Sequence, residues 1–253
     1  MKRAVILTAL PVEYDAVKAH LTDLREDVHE KGTVYEIGSF DDWEILIGET
    51  GPGNPSAAFE TERAIQYFSP LVLVFVGVAG GIKDTTLGDV VAATKVYGYE
   101  SGKAEGEKFL TRPDVAQTTY ALEQRAKAES KKDDWINRII GTTQDDKPNA
   151  IVKPIAAGEK VVASIRSDVF KFIREKYGDA VAVEMEGRGC LAAARANADV
   201  SVMIVRGISD LVKNKTVSDE AGWQETASRN ASAFAFEMIS KIEKDGTKLP
   251  VNP

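Results

Sequence analysis

Residues 181–211 limit the fold of this chain more than any other stretch of its sequence. The stretch begins with a short apolar run, continues as an Ala-rich segment of helical composition over residues 187–197, and ends with a β-branched run over residues 200–205. A strand, a helix and a second strand of these lengths predict a βαβ unit, in which both strands lie parallel in one sheet. The chain is therefore expected to have an α/β fold.

Charged and polar side chains follow both strands of this predicted unit. They are Glu184, Glu186, Arg206, Ser209 and Asp210. The carboxyl ends of parallel strands face the crevice in which open α/β sheets bind ligands, so these side chains are expected to line a binding site. Charges at the ends of apolar strands are costly unless a ligand or mutual pairing satisfies them. An ion-pair network with a purely structural role at the sheet edge is therefore the alternative interpretation.

Apolar runs elsewhere in the chain predict the remaining strands. Residues 70–78 form the most apolar of these runs and contain no charged side chain, which is typical of a central strand that is buried on both faces. The other strands are expected at residues 4–10, in a hairpin of residues 34–40 and 43–48, after the turn at 87–89, and at 151–157.

Two connections after these strands carry candidate ligand-binding groups. A helix predicted over residues 13–24 has Glu13 in its first turn, where the helix dipole favours an ionised carboxylate. The Gly-rich residues 49–56 lead from the hairpin into another helix. Their backbone N–H groups could bind an anion or a ribose, or the segment could serve only as a tight connection.

The middle and the end of the chain predict additional helices within the same domain. Residues 101–146 are rich in Lys, Glu, Asp and Gln and predict a helical excursion, with helices at 115–129 and near 135–140. A long helix is expected at 218–244. The whole pattern over residues 1–253 predicts a single domain in which helices flank a mixed, twisted β-sheet.

The composition excludes several classes of function. A net charge of −7 argues against a nucleic-acid surface, because such proteins concentrate Lys and Arg to neutralise phosphates. The single cysteine, Cys190, permits no intrachain disulfide, and no apolar run approaches the ~20 residues that a membrane helix needs. No signal-peptide pattern precedes the first strand. We therefore expect a cytoplasmic protein that binds a small molecule, with no cofactor or metal and no nucleic-acid or membrane partner.

Several motifs occur in an order and spacing that carry a family resemblance. They are Ala9-Leu10-Pro11-Val12-Glu13, Val78-Ala79-Gly80-Gly81 followed by Gly88-Asp89-Val90-Val91, Val183-Glu184-Met185-Glu186, and Val205-Arg206-Gly207-Ile208-Ser209-Asp210. Together they resemble the nucleoside phosphorylase/nucleosidase superfamily, and most closely its methylthioadenosine/S-adenosylhomocysteine nucleosidase branch. The resemblance implies a nucleosidase that hydrolyses the N-glycosidic bond of an adenine nucleoside or nucleotide and releases free adenine.

The resemblance also implies roles for individual residues. Asp210 would act as the general acid at N7 of the purine, Glu13 would hold and activate the attacking water, and Arg206 would lie near that water. Glu186 would bind the ribose hydroxyls, with Met185 packed against the sugar. The other residues that the resemblance places around the substrate are Glu184, Ser209, Val161, Val162, Gly80, Val78 and Lys160.

The sequence leaves open whether the nucleophile is water or phosphate. The first loop, residues 8–13, contains no arginine to bind phosphate and ends in a carboxylate that would repel it. Water is therefore favoured, and a phosphate-dependent phosphorylase is the alternative. Two residues depart from the nucleosidase pattern, because Val78 stands where a hydroxyl side chain is usual and Val161 replaces the usual aromatic side chain that stacks on the base.

The substrate and the assembly also stay open. Cations near loops that follow the predicted strands could hold the phosphates of a nucleotide such as ATP, or could form a solvated face. Residues 97–103 resemble nucleotide-degrading effectors of bacterial antiviral defence. A ligand-binding sensor without activity is another alternative, and the resemblance implies a homodimer or larger homo-oligomer. The cations concerned are Lys83, Lys95, Lys103, Lys108, Arg112, Lys160 and Arg166.

Overall fold

A ten-stranded mixed β-sheet forms the centre of the computed structural model, which describes residues 1–141, 147–197, 199–212 and 222–242. The strands are β1 (Lys2–Thr8), β2 (Thr22–Val28), β3 (Val34–Phe40), β4 (Trp43–Glu49), β5 (Val72–Gly81), β6 (Val90–Gly98), β7 (Gly102–Glu105), β8 (Lys108–Thr111), β9 (Asp114–Gln117), β10 (Ala150–Ala157), β11 (Ala182–Glu184) and β12 (Ser201–Leu211). Strands β7 and β8 form a separate hairpin.

Helices cover both faces of this sheet. They are α1 (Pro11–Lys18), α2 (Asn54–Phe68), α3 (Tyr120–Glu129), α4 (Asp168–Lys176), α5 (Gly187–Ala194) and α6 (Trp223–Lys241), together with a short 3₁₀ helix, Asp134–Arg138. In β1, Ala4 and Ile6 pack in the core layer beneath α1 and α6, whereas Val5 and Leu7 pack in the layer beneath α2 and α5. Burial on both faces explains why the central strands read as continuous apolar runs. The predicted single α/β domain with a mixed sheet is confirmed.

The sheet closes on itself at one end, and this closure corrects the predicted βαβ unit. The strand order is β11-β10-β6-β12-β5-β1-β4-β3-β2, with β9 paired to β6, and β11 also pairs with β5. Strand β12 runs parallel to β5, but β11 runs antiparallel to it. The expectation that β11 and β12 lie parallel was therefore wrong, because the short strand β11 crosses back over the end of β5.

Two predicted helices also required correction. The helix predicted over residues 13–24 ends at Lys18, and the exposed edge strand β2 follows it. The excursion at 101–146 holds three short strands before its helix, which begins at Tyr120 because β9 pairs with β6 over the residues first assigned to it. The second predicted helix there is the 3₁₀ helix.

The C-terminal helix agrees with the prediction over its described length. It spans Trp223–Lys241, and the predicted residues 218–221 and 243–244 lie outside the described residues. Among the helices that the structure describes, none is both long enough and apolar enough to cross a membrane.

Candidate active site

A cavity of about 230 Å³ opens where β5, β11 and β12 end and α1 begins. The residues to which the resemblance gave a catalytic or substrate-binding role all line this cavity, except Arg206, which lies buried beside it. The residues that line it are Ala9, Leu10, Glu13, Pro52, Val78, Ala79, Gly80, Lys160, Val161, Val162, Val183, Glu184, Met185, Glu186, Ser209, Asp210 and Gln224.

Glu13 is fixed by backbone donors from two different elements. It stands in the first turn of α1, and its Oε2 accepts hydrogen bonds from Ala9 N at 2.8 Å and Leu10 N at 3.0 Å. Its Oε1 accepts a hydrogen bond from Val78 N in β5 at 2.8 Å. Burial raises the pKa of Glu13 above its ordinary value of 4.5, although Arg206 and these N–H groups act in the opposite direction. The carboxylate is thus held rigidly and is a stronger base than an exposed glutamate.

Arg206 joins two carboxylates at the base of the cavity. Its Nη2 donates to Glu184 Oε2 and, at 3.0 Å, to Glu186 Oε2, and its guanidinium lies 4.9 Å from the centre of the Phe75 ring. Burial alone would lower the pKa of Arg206, but the carboxylates of Glu184, Glu186 and Glu13 raise it. Arg206 therefore stays charged. The antiparallel return of β11 brings the two glutamates back to the level of Arg206 in β12.

Glu184 also caps the helix that follows it. Its Oε2 accepts hydrogen bonds from the N–H groups of Glu186 at 2.9 Å and Gly187 at 2.7 Å. The first N–H groups of a helix lack partners within the helix, so this carboxylate satisfies two of the donors at the start of α5. Burial raises the pKa of Glu184 in spite of the charge on Arg206. The side chain thus has a structural function beside its place in the cavity wall.

Glu186 and Asp210 stand on different walls of the same cavity. Glu186 Oε1 accepts a hydrogen bond from Gly53 N at 2.9 Å, so the Gly-rich segment before α2 contacts the cavity through this glutamate. Asp210 Oδ2 accepts a hydrogen bond from Ser209 Oγ at 3.3 Å. Asp210 Oδ1 would lie 3.1 Å from a Cβ atom on Gly80. A glycine at this position therefore leaves room for the Asp210 carboxylate beside the end of β5.

The segment of residues 158–162 forms the outer wall. Lys160 and Val161 are exposed at the mouth of the cavity, whereas Val162 is buried. Lys160 Nζ forms an ion pair with Glu100. Of the seven cations that the sequence suggested for phosphate binding, Lys160 is the one found among the described residues that line the cavity. Lys83, Lys95 and Lys103 instead form ion pairs with Asp84, Asp179 and Glu105.

Comparison with known protein families shows to which family this chain belongs. Residues 3–240 match the family described as the phosphorylase superfamily. The chain belongs to the phosphorylase superfamily. The resemblance noted in the sequence motifs is thereby confirmed, and the match spans all elements that form the cavity.

Individual superfamily members are similar to this chain over nearly its whole length. The 5′-methylthioadenosine/S-adenosylhomocysteine nucleosidase of Colwellia psychrerythraea is 26% identical over 95% of this chain and 97% of the relative. The nucleosidase of the same name from Oceanobacillus iheyensis is 24% identical, covering 94% of this chain and 98% of the relative. The crystal structure of the Colwellia nucleosidase in complex with adenine has a TM-score of 0.78 at 22% identity, with 95% of each chain covered. At this identity the structural likeness shows the fold alone.

One of two glycines that shape the site was missed in the sequence. Gly53 belongs to the Gly-rich residues 49–56, whose N–H groups were expected to bind an anion or a ribose, and it donates to the Glu186 carboxylate. Gly77 was missed, and it leaves space for the buried charges. A Cβ atom on Gly77 would overlap Arg206 Nη1 and lie 2.7 Å from Glu13 Oε1. The signal was present in the sequence, because a glycine inside an otherwise apolar β-branched strand indicates close approach of another group.

Proposed function

We propose that this chain is a nucleosidase that hydrolyses the N-glycosidic bond of an adenine nucleoside. The observation that carries the proposal is the position of Glu13, Glu186 and Asp210 on the walls of one cavity, with Arg206 buried beside it. The names of the superfamily members reported above support adenine as the base. A ligand-binding sensor needs neither a proton donor nor a group that activates water, so the arrangement favours an enzyme.

The proposed reaction assigns each proton and each bond to a group. The C1′–N9 bond breaks as the oxygen of a water molecule bonds to C1′. Glu13 accepts a proton from that water, and Asp210 donates a proton to N7 of the leaving adenine. The sugar becomes positively charged in the transition state, so the carboxylates of Glu13 and Glu186 stabilise it more strongly than they stabilise the bound nucleoside.

Water is the proposed nucleophile because the cavity suits an anion poorly. Three carboxylates line it beside the proton donor Asp210, those of Glu13, Glu184 and Glu186. Arg206, which is buried beside them, already binds Glu184 and Glu186. Bringing phosphate into this cavity would place like charges close together, which costs several kcal/mol unless cations compensate.

The same charges favour a nucleoside over a nucleotide. Lys160 is already paired with Glu100, and the other suggested cations do not line the described cavity wall. A neutral 5′ substituent, as in methylthioadenosine, avoids repulsion from the carboxylates. A nucleotide such as ATP carries its negative charge next to them.

Release of free adenine from a panel of substrates tests this proposal. The purified protein is incubated with methylthioadenosine, adenosine, AMP and ATP, each with and without inorganic phosphate, and adenine is separated by chromatography. We expect adenine from methylthioadenosine in the absence of phosphate. Adenine release that requires phosphate would identify a phosphorylase, and preferential cleavage of ATP would identify a nucleotide-degrading enzyme. No release from any substrate would contradict an enzymatic role.

A further inference from the structure

Asn54 links three segments around the cavity through its side-chain amide. It is buried at the start of α2, directly after Gly53, whose N–H binds Glu186. Asn54 Oδ1 accepts a hydrogen bond from Gly189 N at 2.8 Å, and Nδ2 donates to Glu159 Oε1 at 2.9 Å. Both ends of the amide are therefore used, one towards the helix that follows Glu186 and the other towards the outer wall.

Glu159 is the residue through which this contact reaches the outer wall. It directly precedes Lys160, Val161 and Val162, which line the cavity. Its own N–H donates to Glu100 Oε2 at 2.8 Å, and Lys160 pairs with the same glutamate. The wall segment, residues 158–162, is thus held by Glu100 on one side and by Asn54 on the other.

The close packing of α2 on α5 fixes the position of Asn54. Helix α5 has glycine at position 189, and a Cβ atom there would overlap the backbone carbonyl of Asn54. The Asn54 amide is consequently held rigidly against the first turn of α5. Loss of the hydrogen bond between Asn54 and Glu159 would therefore let the wall segment move, whereas Asn54 would stay in place.

We propose that Asn54 and Glu159 form a positioning pair that holds the wall segment at a fixed distance from Glu186. Under the proposed function, Glu186 binds the ribose and the wall segment covers the base, so the pair couples recognition of the two halves of the substrate. This inference rests on the proposed function for its catalytic consequence, whereas its structural content is independent of the substrate.

Exchanging donor and acceptor tests the pair, and the double variant Asn54→Asp with Glu159→Gln keeps the net charge of the protein. In the Asn54→Asp variant, one carboxylate oxygen still accepts a hydrogen bond from Gly189 N. The other oxygen faces the carboxylate of Glu159 and has no proton to donate, so the hydrogen bond to Glu159 is lost. Adding Glu159→Gln supplies an amide donor and restores the bond with its direction reversed. Glu159→Gln alone keeps an acceptor oxygen towards Asn54 Nδ2.

The expected kinetic result is a rise in KM that the second substitution reverses. We expect KM for methylthioadenosine to rise about tenfold in Asn54→Asp, since losing this partly buried hydrogen bond and creating a repulsive contact in its place have an effect of this order. We expect kcat to change less than about threefold, because Asp210 and Glu13 keep their contacts. Glu159→Gln alone should raise KM less than Asn54→Asp does, and the double variant should return to within about twofold of the original KM.

Asn197 and Glu62 provide a matched control. Asn197 Nδ2 donates to Glu62 Oε2 at 2.6 Å, and this contact links the C-terminal end of α5 to the same helix α2. Neither residue lines the cavity. Asn197→Asp creates the same carboxylate pair at a distance from the wall segment and should leave KM unchanged.

Hydrogen exchange of residues 158–162 separates failure of this inference from failure of the proposed function. We expect backbone exchange in this segment to accelerate about tenfold in Asn54→Asp and to recover in the double variant, but to stay unchanged in Asn197→Asp. If no nucleoside is cleaved, the proposed function fails, and the hydrogen-exchange rates alone then show whether Asn54 and Glu159 hold the wall segment. A double variant as impaired as Asn54→Asp in both measurements, or an equal effect from Asn197→Asp, would overturn the inference.

Discussion

Glu184 has one carboxylate oxygen with several donors and another with none. Oε2 accepts hydrogen bonds from two N–H groups and from Arg206, whereas Oε1 is buried and has no hydrogen-bond partner among the described residues. A glutamine at this position can keep its oxygen where the donors are and remove one buried negative charge. The charge of Glu184 is therefore not required for the hydrogen bonds that its Oε2 accepts at the start of α5.

We predict that Glu184→Gln raises the free energy of unfolding at neutral pH, because it removes a charge whose burial is unfavourable while Arg206 keeps its contact with Glu186. Burial raises the pKa of Glu184 above 4.5 in the folded protein, so stability is lost as the pH rises through the raised pKa. The difference between the two proteins should be largest at neutral pH and disappear as the pH falls towards 4.5. Urea unfolding over this pH range measures it.

Glu36→Gln is the control for this measurement. Lys18 lowers the pKa of Glu36, which is the opposite direction to Glu184. The stabilisation from this ion pair is present above the ordinary pKa and is lost as the pH falls through the lowered one. Glu36→Gln should therefore lower stability slightly at neutral pH. A loss of stability in both variants would show that the charge of Glu184 is stabilising.

The raised pKa of Glu13 predicts the acidic limb of the pH–rate profile. Glu13 must be ionised to accept a proton from water, and burial raises its pKa above 4.5. The value of kcat/KM should therefore fall with decreasing pH at a midpoint above that of an ordinary glutamate. Initial rates of adenine release across the pH range measure the midpoint. A midpoint at or below 4.5 would exclude Glu13 in ionised form as the limiting base.

The motifs located the polar side chains of the cavity, but not the contacts that hold them. Apolar runs ending in Glu184, Glu186, Arg206 and Asp210 identified residues that now lie around one cavity. The contact between Asn54 and Glu159 joins positions 105 residues apart in the sequence. No local pattern specifies such a pair, because it depends on how α2 packs against α5.

Strand β5 accommodates the buried charges through one glycine. We predict that Gly77→Ala destabilises the protein by about 2–3 kcal/mol, since the added methyl group would overlap Arg206 Nη1 and crowd Glu13. Adenine release should fall as well, because both side chains must move. Thermal unfolding and initial rates provide the two measurements.

Gly178→Ala is the matched control for the glycine in β5. Among the described residues, a Cβ atom there would meet the carbonyl oxygen of Arg174 alone within 4 Å, at 3.3 Å, and Gly178 is not among the residues found to line the cavity. We expect little change in stability and none in activity. Equal behaviour of the two variants would show that the space at Gly77 has no particular role.

Elements were predictable where they bury apolar side chains and were missed where pairing alone defined them. The hairpin β3–β4 and the strands β1, β5 and β10 have apolar runs that the sequence displays directly. Strand β2, Thr22–Val28, is mostly exposed and charged, so it lacks an apolar face and exists through its pairing with β3. The direction of the three-residue strand β11 likewise depends on its partners β10 and β5.

Closure of the sheet over β5 is the feature of the whole molecule that produces the site. It brings Glu184, the last residue of β11, and Glu186, two residues later, to the level of Arg206 in β12, while α1 supplies Glu13 from the other side of β5. The sequence predicted that these side chains share one crevice, but it did so by assuming that the two strands of the βαβ unit run parallel. The same residues meet because the chain reverses direction, and the resulting cavity is lined mainly by carboxylates and aliphatic side chains.

The origin of the oxygen in the sugar product tests the central claim most directly. Methylthioadenosine is incubated with the protein in isotopically labelled water that also contains phosphate, and the ribosyl product is analysed by mass spectrometry, with Asp210→Asn as the inactive control. We expect one labelled oxygen at C1 of a free sugar from the unsubstituted protein, and a rate at least about a hundredfold lower from the variant. A ribosyl phosphate without the label, or equal rates from both proteins, would contradict it.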